Sequence, residues 1–182
     1  MNAQAQAQWS IRNMRSDDIP GVTSIFNETV EAGETTYDVR PRTPEQVSIW
    51  LMGDAPQYKA FVCDGRTGIL GWAAITRYHE RAAYSPTVEL LVYVAKSAQR
   101  AGIGRQLMQL VVAEAKQLGF RSAVLILFPE SGHVIEMAKS FGFSELGRLQ
   151  GVYPSKENWR DIILMQLSFQ REGETGYDSQ GL

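Results

Sequence analysis

Between a Val/Tyr-rich run, Thr87 to Val94, and a segment of helical apolar spacing lies the hexapeptide Gln99-Arg100-Ala101-Gly102-Ile103-Gly104. Glycines three and five places after Gln99 let the main chain come close to an anion, and the N–H groups of the incoming helix point at it. Arg100 and Arg105 bring positive charge to the same place. Such a loop suits a pyrophosphate, with an acyl-CoA the leading ligand; two glycines before a helix are otherwise only a turn.

A second candidate is Glu89, set in the apolar run Val88-Glu89-Leu90-Leu91-Val92. A charge there is costly unless it is paired, which makes Glu89 a candidate base; the other reading is a glutamate at an edge or bulge, facing solvent. Arg81 and Tyr84 precede that run. An arginine fork binds a carboxylate and a tyrosine supplies a hydroxyl and an aromatic wall, features that suit an amino acid; a surface arginine and a packing tyrosine fit the same residues. Tyr37 is a candidate for another wall, and Trp72 and Trp159 fit a core equally well.

Other chemistries find little support. His79 and His133 are the two histidines, and neither is spaced with acids or with Cys63 as a metal site requires, so no metal is expected. Nothing cationic adjoins Cys63, which reads as a packing residue. No serine stands in a G-x-S-x-G elbow, and Gly102 to Gly104 lacks the Lys-Ser/Thr pair of a nucleoside triphosphate loop.

The elements that must position these residues follow from periodicity. Trp9 to Arg15 fits a first strand, and Ile19, Val22, Ile25, Phe26 and Val30 share one helix face behind Asp17-Asp18. Thr43-Pro44 with Gln46 is a capping-box start for a second helix. Tyr58 to Cys63 and Ile69 to Tyr78 form a hairpin around a Gly65 to Gly68 turn, and Thr87 to Val94 is a third strand after it. Leu107, Leu110, Val111, Ala115 and Leu118 mark a helix from Ile103 that stops at Gly119. Ser122 to Phe128 is a strand covered on both faces, a helix runs from Ser131 to Ser140, and strands near Phe143 to Tyr153 and Trp159 to Phe169 close the sheet. The order β-α-α-β-β-β-α-β-α-β-β predicts an α/β domain with a mixed sheet and one crossover helix.

With 182 residues, 44% hydrophobic and 21% charged, the chain suits one domain, expected over residues 9–170 between loose ends at 1–8 and 171–182. A net charge of −2 asks for no nucleic acid, and no apolar run is long enough to span a membrane. One cysteine and the absence of a secretory signal make the cytoplasm the default compartment.

With the loop placed between strand and helix, the chain resembles the GNAT superfamily of acetyl-CoA-dependent N-acetyltransferases. Within it, the chain is similar to the phosphinothricin and methionine sulfone/sulfoximine acetyltransferases over roughly Ile11 to Leu167. The segments that carry the likeness, besides the loop, are Asp17-Asp18-Ile19-Pro20, Thr36-Tyr37-Asp38, Arg81-Ala82-Ala83-Tyr84, Thr87-Val88-Glu89, Val92-Tyr93-Val94, Phe141-Gly142-Phe143, Gly147-Arg148-Leu149, and Trp159 with Asp161.

The resemblance implies a splayed, mostly antiparallel sheet of about seven strands with about four helices. It implies acetyl-CoA held by the main chain of Val92, Tyr93 and Val94, by residues 99–105 (Gln99, Arg100, Ala101, Gly102, Ile103, Gly104, Arg105) and at Ser131. Glu89 is implied as the base, Tyr37, Arg81 and Tyr84 as the substrate site, and a homodimer as the assembly. Where the resembled enzymes carry an Asn, a small residue and a His or Tyr around the last helix, this chain has Ser131, Val134 and Ala138, and their basic segment after Leu149 is replaced by Gln150 to Ser155. The expected activity is acetyl transfer to the amine of a small amino acid or analogue. Acetylation of another amine (a protein N-terminus, a polyamine, an antibiotic) and binding of acyl-CoA without turnover are the alternatives.

Overall fold

The computed structural model describes residues 9–33, 36, 38–53, 57–155 and 158–169. Strands and helices come in the order expected: β1 (Trp9–Asn13), α1 (Ile19–Ala32), α2 (Pro44–Met52), β2 (Lys59–Gly65), β3 (Gly68–Arg77), β4 (Thr87–Val94), α3 (Ile103–Gln117), β5 (Ser122–Leu127), α4 (Gly132–Ser140), β6 (Ser144–Pro154) and β7 (Trp159–Ser168). They build one seven-stranded sheet in the order β1-β2-β3-β4-β5-β7-β6. Every neighbouring pair is antiparallel except β4 and β5, which run parallel and are joined by the crossover helix α3.

Local chemistry sets the helix ends. Thr43 and Gln46 close the capping box at the start of α2: Gln46 N–H donates to Thr43 Oγ1 (3.2 Å) and Thr43 N–H to Gln46 Oε1 (2.9 Å). Helix α1 ends on Gly33, whose φ of 64° is the left-handed conformation that glycine adopts without a Cβ penalty. β1 stops at Asn13, short of the expected Arg15, because Arg15 N–H turns to donate to the Asp18 carboxylate (2.7 Å) and opens a short 3₁₀ turn.

Two apolar layers sandwich the sheet. On one face Val22, Phe26 and Val47 of α1 and α2 pack on Val62, Trp72, Ala74, Leu91 and Tyr93. On the other, Ile103, Leu107, Met108 and Val111 of α3 and Ile135 and Ala138 of α4 pack on Ala73, Ile75, Val88, Leu90, Leu125 and Ile163. The period of two along β4 thus sends even-numbered side chains toward α3 and odd-numbered ones, from Glu89 to Tyr93, toward α1.

The amino end is pinned by Arg12, which forks onto Asp18 (2.7 and 2.8 Å) and also donates to Asp64 on β2 (2.9 Å). Hydrogen bonds from Arg12 hold the Asp18 carboxyl below the usual carboxylate range against the opposing effect of burial. A depressed folded-state pKa contributes stability above the unfolded value and loses it as pH falls toward the folded one. Asp18→Asn should therefore destabilise the protein by about 1–3 kcal/mol at neutral pH. Urea unfolding of both proteins at several pH values should show that difference constant above about pH 5 and shrinking below about pH 4.

Candidate functional site

β4 follows β3 along its whole length, from Val88 opposite Arg77 to Val94 opposite Gly71. It follows β5 only from Thr87 to Glu89, opposite Ser122 to Val124, whereas β5 continues to Leu127 beside β7. The sheet therefore opens into a V after Glu89. Ala95 N–H donates to Leu70 O (2.9 Å) and Glu89 O accepts from Thr76 Oγ1 (3.3 Å), so the odd positions of β4 direct their main chain at β3. By alternation, Val92 and Val94 turn their amides and carbonyls into the gap, while Tyr93 faces β3. Peptide groups in a protein interior need partners, and a strand edge of this kind is a template for an extended polar chain.

Glu89 stands at the vertex of the V with 9% of its surface exposed. Asp18 is the other buried acid among the described residues, and it is committed to Arg12. On the same face of β4, the Tyr93 ring stacks on Trp72 (4.6 Å between centroids) and meets Phe26 edge-on, and its hydroxyl donates to Thr36 Oγ1 (3.3 Å). Burial pushes the Tyr93 hydroxyl well above its ordinary pKa; the Thr36 hydrogen bond opposes this, and the charges of Asp38 and Glu89 add to it. Tyr93 is thus a neutral anchor for the chain around Thr36, beside the vertex.

The glycine loop lies at the carboxyl end of β4. Arg100 adopts φ 64°, the one positive φ outside glycine among the described residues, and Gly102 adopts φ 83°. No side chain caps α3, whose first-turn amides therefore remain available for an anion. Gly102 is explained by its backbone angle, but Gly104 is not explained by packing: a Cβ there would meet Val94 Cγ2 at an ordinary 3.5 Å. Gly71 on β3 is a third, unforeseen requirement. A Cβ on it would lie 2.9 Å from Tyr93 O and 3.3 Å from Ile103 Cγ2, so its absence lets the start of α3 sit against the sheet. A glycine inside a strand pattern was the signal for it.

The remaining predicted residues are dispersed. Gln99, Arg100 and Ala101 are exposed, Ile103 is buried in the core, and Arg105 reaches α4, donating to Ser140 Oγ (3.2 Å) with its guanidinium 5.1 Å from the Phe141 ring. Ser131 is buried at the start of α4, across the gap from β4. Arg81 and Tyr84 flank an exposed 3₁₀ turn just before β4; Arg81 N–H donates to His79 Nδ1 (3.1 Å), and the Tyr84 ring lies 4.8 Å from that imidazole. The turn is thus on the Glu89 side of the V, while the glycine loop is at its wide end. Tyr37 lies outside the described residues. Burial raises the Cys63 thiol to about 11, in keeping with a packing role. Among the described residues, no three His, Cys, Asp or Glu side chains group as metal ligands, and no helix is long and apolar enough to cross a membrane.

Comparison with known proteins places this geometry. Residues 22–143 match the model of the acetyltransferase (GNAT) family. A phosphinothricin N-acetyltransferase of Alcaligenes faecalis is 28% identical, over 89% of this chain and 83% of that protein. An L-methionine sulfoximine/L-methionine sulfone acetyltransferase of Pseudomonas paraeruginosa is also 28% identical, over 87% of this chain and 94% of that protein. The crystal structure of a GNAT superfamily phosphinothricin acetyltransferase from Sinorhizobium meliloti, in complex with AcCoA, shares the fold with a TM-score of 0.86 at 24% identity, over 96% of this chain and 95% of that one.

The left-handed Arg100 stores backbone strain in the loop. Arg100→Gly should relieve it and raise stability by up to about 1 kcal/mol, read as a higher melting temperature.

Proposed function

The chain belongs to the GNAT acetyltransferase family, and from that premise we propose that it transfers the acetyl group of acetyl-CoA to the amine of a small amino acid or amino-acid analogue. The acceptor class follows the names of the relatives, which act on phosphinothricin and on methionine sulfoximine and sulfone. The observation that carries the reading is the placement of a buried carboxylate, Glu89, at the vertex of a gap whose β4 side is unpaired main chain.

In this reading the pantetheine arm lies in the V, paired with the main chain of Val92 and Val94. The pyrophosphate meets the amides of residues 100–105 at the start of α3, with Arg100 exposed beside it. Ser131 lines the far side at the start of α4, and Tyr93 supports β4 through its ring. Gly104 is small because a phosphate comes close, not because the fold demands it.

The chemistry needs no covalent enzyme intermediate. Acetyl-CoA supplies an activated thioester carbonyl; the amine nitrogen attacks it, the C–N bond forms and the C–S bond breaks. An aliphatic ammonium has a pKa near ~10, so a proton must leave before attack. Glu89 accepts it, directly or through one water. The Val92 N–H, turned into the gap, meets the charge that develops on the carbonyl oxygen. Once the C–N bond has formed, the second proton on the nitrogen is acidic and leaves to water, and the departing thiolate, with a pKa of ~8.5, takes a proton from solvent. Arg81 and Tyr84 on the turn before β4, with Tyr37, receive the acceptor's carboxylate and side chain.

The same reading makes residues 9–170 one catalytic domain and takes the protein to be a cytoplasmic homodimer with no membrane or nucleic-acid partner. The lone buried Cys63 supports the compartment. Exposed Leu146, Leu149 and Val152 on the outermost strand, β6, support the pairing of two copies.

The primary assay is release of CoA from acetyl-CoA over a panel that includes phosphinothricin and methionine sulfone; release with none of them defeats the acceptor assignment. Glu89→Gln should lower kcat by about 10²–10⁴-fold and leave CoA affinity nearly intact by calorimetry. Unchanged turnover at neutral pH would remove Glu89 from the base role. Gly104→Ala should separate fold from function in the opposite sense: melting unchanged or slightly higher, since alanine favours a helix by up to about 1 kcal/mol, with CoA affinity reduced at least about tenfold.

A further inference from the structure

On the α1 face the two sides of the gap are joined by a second connection, far from the ladder. Arg160 of β7 donates from Nη1 to the carbonyl of Gly33, the residue that ends α1 (2.6 Å). Its Nη2 donates to Glu130 Oε2 between β5 and α4 (3.1 Å), and its guanidinium lies 3.7 Å over the Phe128 ring. Helix α1 carries no basic residue in its own last turn, so Arg160 supplies from the other half of the sheet the cation that a helix carboxyl end favours. Five residues on from Gly33, the carbonyl of Asp38 lies 3.5 Å from Tyr153 Oη of β6. Between these points Thr36 takes the hydrogen bond from Tyr93 on β4. Gly33, Thr36 and Asp38 are therefore held from β4 on one side of the V and from β6 and β7 on the other.

Glu130 is 62% exposed, so its ion pair with Arg160 contributes little by itself. Arg160 is 18% exposed, stacked and aimed at a main-chain carbonyl, which fixes a position more than it adds stability. Tyr93 and Glu89 lie on the same face of β4 four residues apart, and the Tyr93 hydroxyl holds Thr36, so Gly33, Thr36 and Asp38 are strapped on the face of the sheet toward which Glu89 projects.

We propose that Arg160 is a positioning residue for acyl transfer: it latches the carboxyl end of α1 across the open sheet and so fixes the acceptor-side wall opposite Glu89. It contacts neither cofactor nor acceptor. The inference rests on the acetyltransferase reading above and names the residue that orders its acceptor site.

The test compares the full-length wild type with Arg160→Ala, Arg160→Lys, Glu130→Gln and Phe128→Leu. Steady-state kinetics with acetyl-CoA and methionine sulfone or phosphinothricin, calorimetric CoA binding and native-state hydrogen exchange are the readouts. Arg160→Ala should raise the acceptor KM by about tenfold or more while the CoA Kd stays within about twofold. Amides at the end of α1 should exchange faster in that variant, with those of β5 and β7 unchanged. Arg160→Lys, which keeps a cation and a donor for Gly33 O, should recover much of the acceptor KM, and Glu130→Gln should resemble the wild type. If Arg160→Ala does not fold, Phe128→Leu, which removes the guanidinium's platform, should give a smaller KM rise of the same selectivity. A lower melting temperature with acceptor KM and α1 exchange unchanged, or equal losses in acceptor and CoA binding, would overturn the proposal. A wild type that binds CoA but acetylates no amine would instead defeat the acceptor reading on which it rests.

Discussion

The parallel ladder between β4 and β5 ends after Glu89 and Val124, and the rest of the structure is arranged around that ending. Each strand continues beside its other neighbour, β4 with β3 and β5 with β7, so neither loses its place when the two separate. What is lost is pairing along one side of β4, where a row of peptide groups meets no strand. Buried peptide groups left unpaired are costly, so a fold that keeps such a row must offer it to something that can pair with it. Because main chain lines the opening, the strand can read Leu90, Val92, Val94 without polar side chains: those side chains serve the core under α3.

From this opening the placement of the other groups follows. The crossover from β4 to β5 must pass through α3, which brings the helix amino end to the wide mouth of the V, where an uncapped first turn favours an anion. Gly71 lets that helix seat against the sheet. Glu89, as the last β4 residue in register with β5, is held at the narrow end between strands paired on both sides and projects toward α1, away from α3. The uncapped helix start and the carboxylate are thereby set at opposite ends of one opening, along a strand paired with β3 from Val88 to Val94.

Much of this was legible in the residues. Element order came from periodicity and turn chemistry, and the Thr43 to Gln46 box, the Gly119 stop and the glycine loop all lie where local rules put them. What the residues alone did not give, and only the resemblance implied, was where two long strands would part. Apart from Glu89 itself, Val88 to Val94 is an apolar run, and nothing in its pattern marks the end of pairing, because that end depends on how β5 aligns with β7. Sequence reasoning also grouped Val92, Tyr93 and Val94 together; alternation turns the Tyr93 main chain toward β3, and its hydroxyl donates to Thr36. Arg160, with partners 127 and 30 positions away, has no local signature at all.

The departures from the resembled enzymes fall where this architecture tolerates them best. Ala138 is fully buried in the layer shared by α4, Phe143 and Met165, so a histidine or tyrosine at that place would have to displace core, and the position serves packing. A thiolate leaving group needs no acid near neutral pH, so the loss falls on a step that water can complete. Ser131 keeps a small polar group at the start of α4, and its own amide and carbonyl are already used, with Phe128 O on one side and the amides of Val134 and Ile135 on the other. The features that have no substitute are geometric: the parting of β4 from β5, the uncapped turn of α3, and a carboxylate at the vertex. An opening lined by main chain can keep its geometry while peripheral side chains around Glu89 are exchanged.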